Sequence, residues 1–426
     1  MKPIIICALC LMAVALNAQE SQTISTGPSY SQQSYINLSA GTDHRVANTS
    51  WDIAFSVAPQ DAGVFINESV GSTQGALPIQ AFFTLGDDFT AEPDPSNFVD
   101  FQLFNREISW SYGALNEFRE GGNPDDFGWG VYNPATQETN GIFVYVIELR
   151  NGTYLKFQIQ SLINGVYTFR YANLDGSDEV TKTISKADHA GDMLAYFSFD
   201  TGETVDVEPA DGFDLLFCRY FALLDQGGDS VQYLVTGILS APGVEVAEAS
   251  QVDPATVQFQ DFADSLSSFH LEIIGHDWKY FDLGAFEWIL PEDLVYFVKT
   301  PDDRVWKLRF TEFLGSSSGS AIFEKTDLGI ISGVEDPSSP LSEFLVYPNP
   351  ASAEVNVVYT LRDHLASEVK LQVLDASGRF VDQYTTQAGA GINGFTIDRD
   401  DLVSGIYYIR ILVGEESHTG SMYIIR

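Results

Sequence analysis

Imidazole and thioether side chains, which coordinate transition metals, are scarce in the long region between the two ends of this chain. Those between positions 19 and 343 are His44, His189, His270, His276 and Met193. His270 and His276 are six positions apart, so a regular strand would place both on one face, about 20 Å from each other. That distance is too large for two ligands of one metal centre unless the chain bends at Gly275. His189 and Met193 are four positions apart, a spacing that shares one face of a helical turn.

The segments around these side chains have the pattern of short antiparallel strands. In 145–159, two β-rich runs flank an Asn-Gly dipeptide at 151–152, which favours the positive backbone angles of a hairpin turn. In 296–310, a Pro-Asp-Asp turn at 301–303 takes the same place. Aromatic residues make up 13% of the chain, which suits half-buried pleated surfaces. We predict an all-β fold of two tandem antiparallel β domains plus a small C-terminal β-sandwich, with at most a short helix around 260–266.

An internal repeat supports the two tandem domains. Three blocks recur in the same order: 35–41 with 196–202, 50–55 with 212–217, and 145–156 with 296–307. An aromatic pair precedes the third block of each half: Trp110 with Tyr112, and Trp278 with Tyr280. We therefore predict a first copy at 24–177 and a second at 190–330.

The repeated blocks resemble the HmuY-like family of haem-binding proteins. The resemblance is carried by the strand WDIAF at 51–55, the strand WKLRF at 306–310, and the Gly-rich stretch 315–319 that leads into 322–324. It implies a secreted or surface β-protein that captures haem, often through two axial side chains. The implied cofactor is haem and the implied partner is haem or a haem protein. Because the matching motifs are structural strands, no ligand position of the family is carried over, and the candidate haem ligands are His270, His276, His189 and Met193.

Two other functions stay open beside haem capture. The chain could be a surface adhesion or carbohydrate-binding protein whose aromatic side chains stack on the ligand: Trp110, Trp278 and Trp288. It could also be a degenerate HmuY-like pair kept as a scaffold. A His-Glu-x-x-His helix and a phosphate loop are missing from the sequence, and we predict that it is not an enzyme. The acidic stretches 86–88 and 123–126 lack the spacing of a calcium loop and are interpreted as solvated turns.

Charge and cysteine content exclude further classes. The formal net charge of −37 repels nucleic acid and anionic lipid, so neither is an expected partner. Cys218 is the one cysteine outside the first eighteen residues, and its apolar neighbours at 215–217 predict a buried thiol.

The N-terminal segment has the pattern of a secretory signal. Lys2 precedes an apolar run at 4–16, which is too short to span a bilayer unaided, and Ala18 precedes the expected cut. We predict a signal peptide at 1–18 and no later transmembrane segment. At the other end of the repeats, a Pro/Ser-rich stretch predicts a linker at 331–343.

Residues 344–426 have alternating apolar positions typical of a small β-sandwich. Three motifs occur in order: Tyr-Pro-Asn-Pro at 347–350, Asp-x-x-Gly-Arg at 375–379, and Ser-Gly-x-Tyr at 404–407. This set resembles the C-terminal sorting domain of type IX secretion. The resemblance implies that the type IX machinery of a Bacteroidetes-type bacterium is a partner, and that the protein is secreted, extracellular or on the outer-membrane surface.

Overall fold

The computed structural model describes most of the chain. The described residues are 19–424 except 60, 74, 85, 95, 97, 99–100, 121–122, 124, 226–229, 269, 331–340, 348–353, 362–366, 376–378, 390, 399–401, 404 and 415. The predicted signal at 1–18 and the Pro/Ser-rich part of the predicted linker lie outside the described residues.

The described secondary structure is almost entirely β-strand, which confirms the predicted all-β class. The strands of the first part are β1 Gln19–Ser25, β2 Gln32–Asn37, β3 Thr42–Ala47, β4 Ile53–Ser56, β5 Val64–Ile66, β6 Gln80–Phe83, β7 Gln102–Leu103, β8 Gly130–Asn133, β9 Glu138–Gly141, β10 Tyr145–Glu148, β11 Tyr154–Ile163 and β12 Val166–Asn173. They are followed by β13 Val180–Ser185, β14 Leu194–Ser198, β15 Glu203–Val205, β16 Leu215–Asp225, β17 Ser230–Ser240, β18 Glu245–Ala249, β19 Tyr280–Asp282, β20 Glu287–Ile289, β21 Val295–Lys299, β22 Arg304–Phe313 and β23 Ser320–Ile330. The C-terminal strands are β24 Leu341–Tyr347, β25 Glu354–Leu361, β26 Ser367–Asp375, β27 Phe380–Ala388, β28 Gly391–Asp398, β29 Gly405–Val413 and β30 Glu416–Ile424.

Helical structure in the described residues is limited to short 3-10 turns: Pro28–Tyr30, Ala114–Asn116, Lys186–His189, Phe259–Asp261, Ala263–Ser265 and Gly315–Ser317, together with residues 96, 98 and 101. The helix predicted around 260–266 is therefore two separate turns. A gap at Phe262, whose backbone leaves the helical region, divides them.

Two four-stranded sheets combine strands from both predicted copies. The first inner sheet has the order β15-β14-β4-β5, and the second inner sheet has the order β17-β16-β2-β3. If β2, β3, β4 and β5 change places with β14, β15, β16 and β17, respectively, each strand order becomes the other read in reverse. Tyr196 faces Ala54 in the first inner sheet, and Tyr35 faces Leu216 in the second. These are the residues that the first two sequence blocks align.

Two larger sheets repeat one topology. The first outer sheet has the order β13-β12-β11-β10-β6-β7, with the β8–β9 hairpin attached to β11, and the second has the order β1-β23-β22-β21-β18. In each, a strand at or just before the start of one predicted copy completes the sheet of the other. The register repeats as well: Tyr145 pairs with Phe157, and Tyr296 pairs with Leu308.

The four sheets pack in layers because strand side chains alternate between faces. Phe55 of β4 and Phe197 of β14 join the core against the first outer sheet. Ile36 of β2 joins the equivalent core against the second outer sheet. Their neighbours Ala54 and Tyr35 point into a third core between the two inner sheets. Strands β4, β5 and β14 are thus buried on both faces, which explains their continuous apolar runs, whereas the edge strands β3 and β15 are largely exposed.

The two copies are interlocked in one compact unit that ends near residue 331. The sequence predicted the repeated strands but not this exchange, and the bounds 24–177 and 190–330 stay a prediction. One aromatic match is wrong. The closing pairs Asn133↔Glu138 and Asp282↔Glu287 align the β8–β9 and β19–β20 hairpins, so the residue equivalent to Trp278 is Trp129 rather than Trp110.

The C-terminal unit is a β-sandwich of its own. Its sheets have the orders β24-β25-β28 and β27-β26-β29-β30. Side chains of both sheets share one core, including Val357, Leu371 and Ile409. β24 begins at Leu341, so the last positions of the predicted linker belong to this sandwich.

Candidate binding site

A cavity of about 70 Å³ lies between the two inner sheets. Its walls come from both copies, since Tyr35 and Trp51 line it together with Tyr196, Cys218 and Tyr220. We call it the central cavity. Burial raises the pKa of the Cys218 thiol, so the predicted buried thiol is an unreactive wall residue.

Two carboxyl groups border the central cavity beside the part of β16 that no longer pairs with β2. β16 pairs with β2 only through 215–217, so the following N–H groups of that edge need other acceptors. Glu68 Oε2 accepts from Phe221 N at 3.3 Å, and Glu107 Oε1 accepts from Leu223 N at 3.3 Å. The two glutamates therefore replace a missing strand along this edge.

Burial changes the acidity of both groups. It raises the pKa of Glu68 to about 8, and the hydrogen bond from Asn105 N at 2.8 Å opposes the shift without cancelling it. Burial and the nearby carboxylate of Glu272 raise the pKa of Glu107 to about 7. Near neutral pH these acids hold a proton for much of the time, which is uncommon for glutamate.

Tyr220 lines the cavity, and its buried hydroxyl has no hydrogen-bond partner among the described residues. Two arginines also lie beside the cavity. The guanidinium of Arg106 binds both carboxylate oxygens of Glu117, at 3.0 and 2.7 Å. Alternation along β16 places Arg219 on the face opposite Tyr220, where its guanidinium lies 5.4 Å from the Tyr30 ring centre. Neither arginine directly neutralises Glu68 or Glu107.

Of the four candidate haem ligands, only Met193 lines the central cavity. His270 lies close enough to Glu107 to affect its pKa, and its Nδ1 is 3.1 Å from Glu272 Oε1. His189 Nδ1 instead lies 3.8 Å from Asp192 Oδ2.

The spacing arguments for these ligands do not hold. The 3-10 turn Lys186–His189 ends before Met193, which precedes β14, so the expected helical face is absent. The regular strand assumed through His270 and His276 is also absent. The described residues there form turns, and Gly275 has a φ of +54°. The bend considered at Gly275 is thus present, because this residue bridges to Ile238 of β17.

The three tryptophans considered for ligand stacking have different environments. Trp278 is only 1% exposed and stacks on Phe310 at 4.3 Å, so it is a core residue. Trp110 is half-buried in the cavity wall, and its Nε1 donates to Ser240 O at 2.8 Å. Trp288 is half-buried on β20, 5.3 Å from Phe281.

The β19–β20 hairpin exposes a group of large apolar side chains that sequence reasoning missed. Phe286 is 79% exposed, Leu283 is 77% exposed and Tyr280 is 55% exposed. We call these three residues and the partly covered Phe281 the aromatic tip. The signal available in the sequence was an apolar cluster around a glycine, without the alternation of a half-buried strand.

The aromatic tip distinguishes the two copies. In the equivalent β8–β9 hairpin, Val131 stands for Tyr280 and Gln137 for Phe286. Gln137 and Phe286 both have a positive φ, of 59° and 57°. That backbone conformation is unfavourable for a bulky side chain. Exposure of the phenylalanine ring to water is a second unfavourable contribution.

The described part of the chain offers little for metals or membranes. No three His, Cys, Asp or Glu side chains among the described residues are grouped to hold a metal ion. The described residues also include no helix with the length and apolar character needed to cross a membrane.

Residues 345–425 match the family profile of the secretion system C-terminal sorting domain. The C-terminal sandwich is therefore a sorting domain, as its sequence motifs predicted. It directs the protein through type IX secretion to the cell surface or the extracellular space.

Comparison with other proteins adds no further assignment. No curated protein matches the chain. The crystal structure of dimeric latent PorU from Porphyromonas gingivalis is 10% identical with a TM-score of 0.20, and the match covers 95% of this chain and 34% of that one. The S-layer protein rSbsC is 10% identical with a TM-score of 0.12, covering 66% of this chain and 37% of that one. The chain thus spans about a third of the length of either structure.

Proposed function

We propose that this secreted protein is a non-catalytic surface adhesin or carbohydrate-binding protein, and that the aromatic tip contacts a neutral glycan. The observation that carries the proposal is the exposed cluster of Tyr280, Phe281 and Phe286 on one copy only. Flat rings at the surface suit sugar rings, whose C–H faces pack on aromatic carbon. The carboxylates of Asp282 and Glu287 lie on the same hairpin, where they can accept hydrogen bonds from sugar hydroxyls.

The charge of the chain favours a neutral ligand. A net charge of −37 repels acidic polysaccharides, nucleic acid and anionic lipid, whereas an uncharged glycan meets no such barrier. The same charge opposes association of the tip with a second copy of this chain.

The central cavity gives haem capture no geometric support. A space of about 70 Å³ holds about five to seven water-sized groups, far fewer than the atoms of a porphyrin. Haem binding stays a prediction from the resemblance to HmuY-like proteins. A hemin titration of the secreted protein tests it: a sharp Soret band that His270→Ala alters would support haem capture.

Retardation of the protein in gels that contain neutral polysaccharides tests the proposed function. Phe286→Ala and Tyr280→Ala should each weaken retention about 2- to 10-fold, the range expected for one aromatic stack. The matched controls are Gln137→Ala and Val131→Ala, at the same hairpin positions of the other copy, and these should leave retention unchanged. Absence of retention by every neutral polysaccharide, or equal losses in the controls, would contradict the proposal.

A further inference from the structure

We propose that the central cavity binds a small organic ammonium ion, a class represented by choline. This site is separate from the aromatic tip and does not depend on the proposed glycan contact. The proposal rests on the position of two carboxyl groups, the aromatic wall and the size of the cavity.

The first step concerns charge. Glu68 and Glu107 reach the cavity from different loops, and their oxygens accept from backbone N–H groups instead of a cationic side chain. Burial raises the pKa of both groups, and His270 opposes the shift at Glu107 without cancelling it. A cation that enters the cavity would favour their ionised forms, which is a gain that no neutral ligand provides.

The second step concerns the arginines. Arg106 is held on the outside by Glu117, through two hydrogen bonds. Arg219 points to the other face of β16, where it donates to Val70 O at 2.9 Å. Both guanidinium groups therefore have protein partners, apart from the buried Nε of Arg219, and neither of them pairs with Glu68 or Glu107.

The third step concerns shape. Trp51, Phe65, Trp110 and Tyr196 contribute rings to the wall, and an ammonium group is attracted to aromatic faces once it is desolvated. Room for about five to seven water-sized groups fits a short ammonium compound and excludes a nucleotide or a sugar ring with substituents.

Isothermal titration of the secreted protein with choline tests the proposal. Choline should bind at least ten times more tightly than its neutral carbon isostere. Because binding ionises the glutamates at neutral pH, the observed heat should vary with the ionisation enthalpy of the buffer, which reports released protons. Glu107→Gln should lower both the affinity and the proton release.

Controls separate the site from effects on folding. Glu203→Gln removes an exposed carboxylate of β15 and should change neither quantity. Phe286→Ala should leave choline binding intact, so failure of the glycan proposal and failure of this one are distinguishable. Since Glu68→Gln could disturb the core, Glu107→Gln with an unchanged thermal midpoint is the deciding variant. Equal binding of choline and its isostere, or no binding of choline, would overturn the proposal and leave a cavity that holds water only.

Discussion

Asp52 and Asp214 play the same part in the two interlocked copies. Asp52 Oδ2 accepts from the backbone N–H of Phe199 at 2.7 Å. Asp214 Oδ2 accepts from the backbone N–H of Leu38, also at 2.7 Å. Each carboxylate thus fixes the turn of a hairpin that belongs to the other copy. Exchange of strands between the copies is therefore reinforced by side chains at equivalent positions.

This equivalence predicts equal losses of stability. Asp52→Ala and Asp214→Ala each remove an acceptor from a part-buried N–H, so each should lower the free energy of unfolding by about 1–3 kcal/mol in urea titrations. Asp206→Ala, at an exposed position, should change it by less than about 0.5 kcal/mol. A large loss for one aspartate and none for the other would refute the equivalence.

The buried carboxyl of Glu68 predicts a decrease in stability as pH rises. Its folded pKa of about 8 exceeds the ordinary value of 4.5, so between those values the folded state retains a proton that the unfolded state has lost. The contribution to stability is therefore complete below about 4.5 and falls progressively up to about pH 8. Glu107, with a pKa of about 7, acts in the same direction.

Urea midpoints at pH 5 and pH 8 measure this dependence. Glu68→Gln cannot ionise, so the decrease between the two pH values should be smaller than in the unchanged protein. Glu203→Gln should keep the full decrease, because its carboxylate is exposed. An identical decrease in all three proteins would show that Glu68 does not hold its proton.

Local sequence pattern was sufficient for the strands and their short hairpins. The dipeptide Asn151-Gly152 predicted the turn between β10 and β11, and Gly152 has the expected positive φ of 79°. The exchange between copies could not be read from the sequence, because the partner of Tyr35 lies on β16, far along the chain. Long-range packing decides which strands pair, and the local periodicity of the sequence carries no information about it.

The binding features were harder to predict than the fold. Trp278 and Phe286 are both aromatic, yet one is core and the other is exposed, and residue type alone does not separate them. The apolar run after His270 suggested a strand. Its backbone instead forms isolated hydrogen bonds with β17, and Ser240 N donates to Leu271 O at 2.9 Å. The central cavity depends on Glu68 and Tyr220, which only the exchanged sheets bring together.

A close approach of strands makes Gly141 of β9 irreplaceable. A Cβ built there would lie 1.7 Å from Ile159 O, beside the irregularity of β11 between Ile159 and Ser161. Gly141→Ala should therefore lower the free energy of unfolding by about 1–3 kcal/mol or more. At Gly86 the nearest atom would be 3.8 Å away, so Gly86→Ala should have little effect. Similar urea midpoints for the two variants would contradict this account of β9.

The role of the sorting domain predicts the cell compartment in which a truncated protein accumulates. Because the C-terminal sandwich is a separate compact unit, deletion of 341–426 should leave the other unit folded. Without the sorting domain, that unit should accumulate in the periplasm instead of the medium or the cell surface. Cell fractionation with an antibody measures the distribution, and the full-length chain is the control. Unchanged export of the truncated protein would contradict the role of the sandwich.

Because the two copies share sheets, we predict that cleavage of the chain between them leaves the two fragments associated. The turn 174–179 between β12 and β13 is largely exposed, so a protease site inserted there should be cleaved in the folded protein. Both inner sheets contain strands from each side of the cut, and separating the fragments would expose three apolar cores. The fragments should therefore elute together in gel filtration and part only in denaturant, as judged against the uncut protein with the same insertion. Fragments that separate in native buffer would show that the exchanged strands contribute little to holding the copies together.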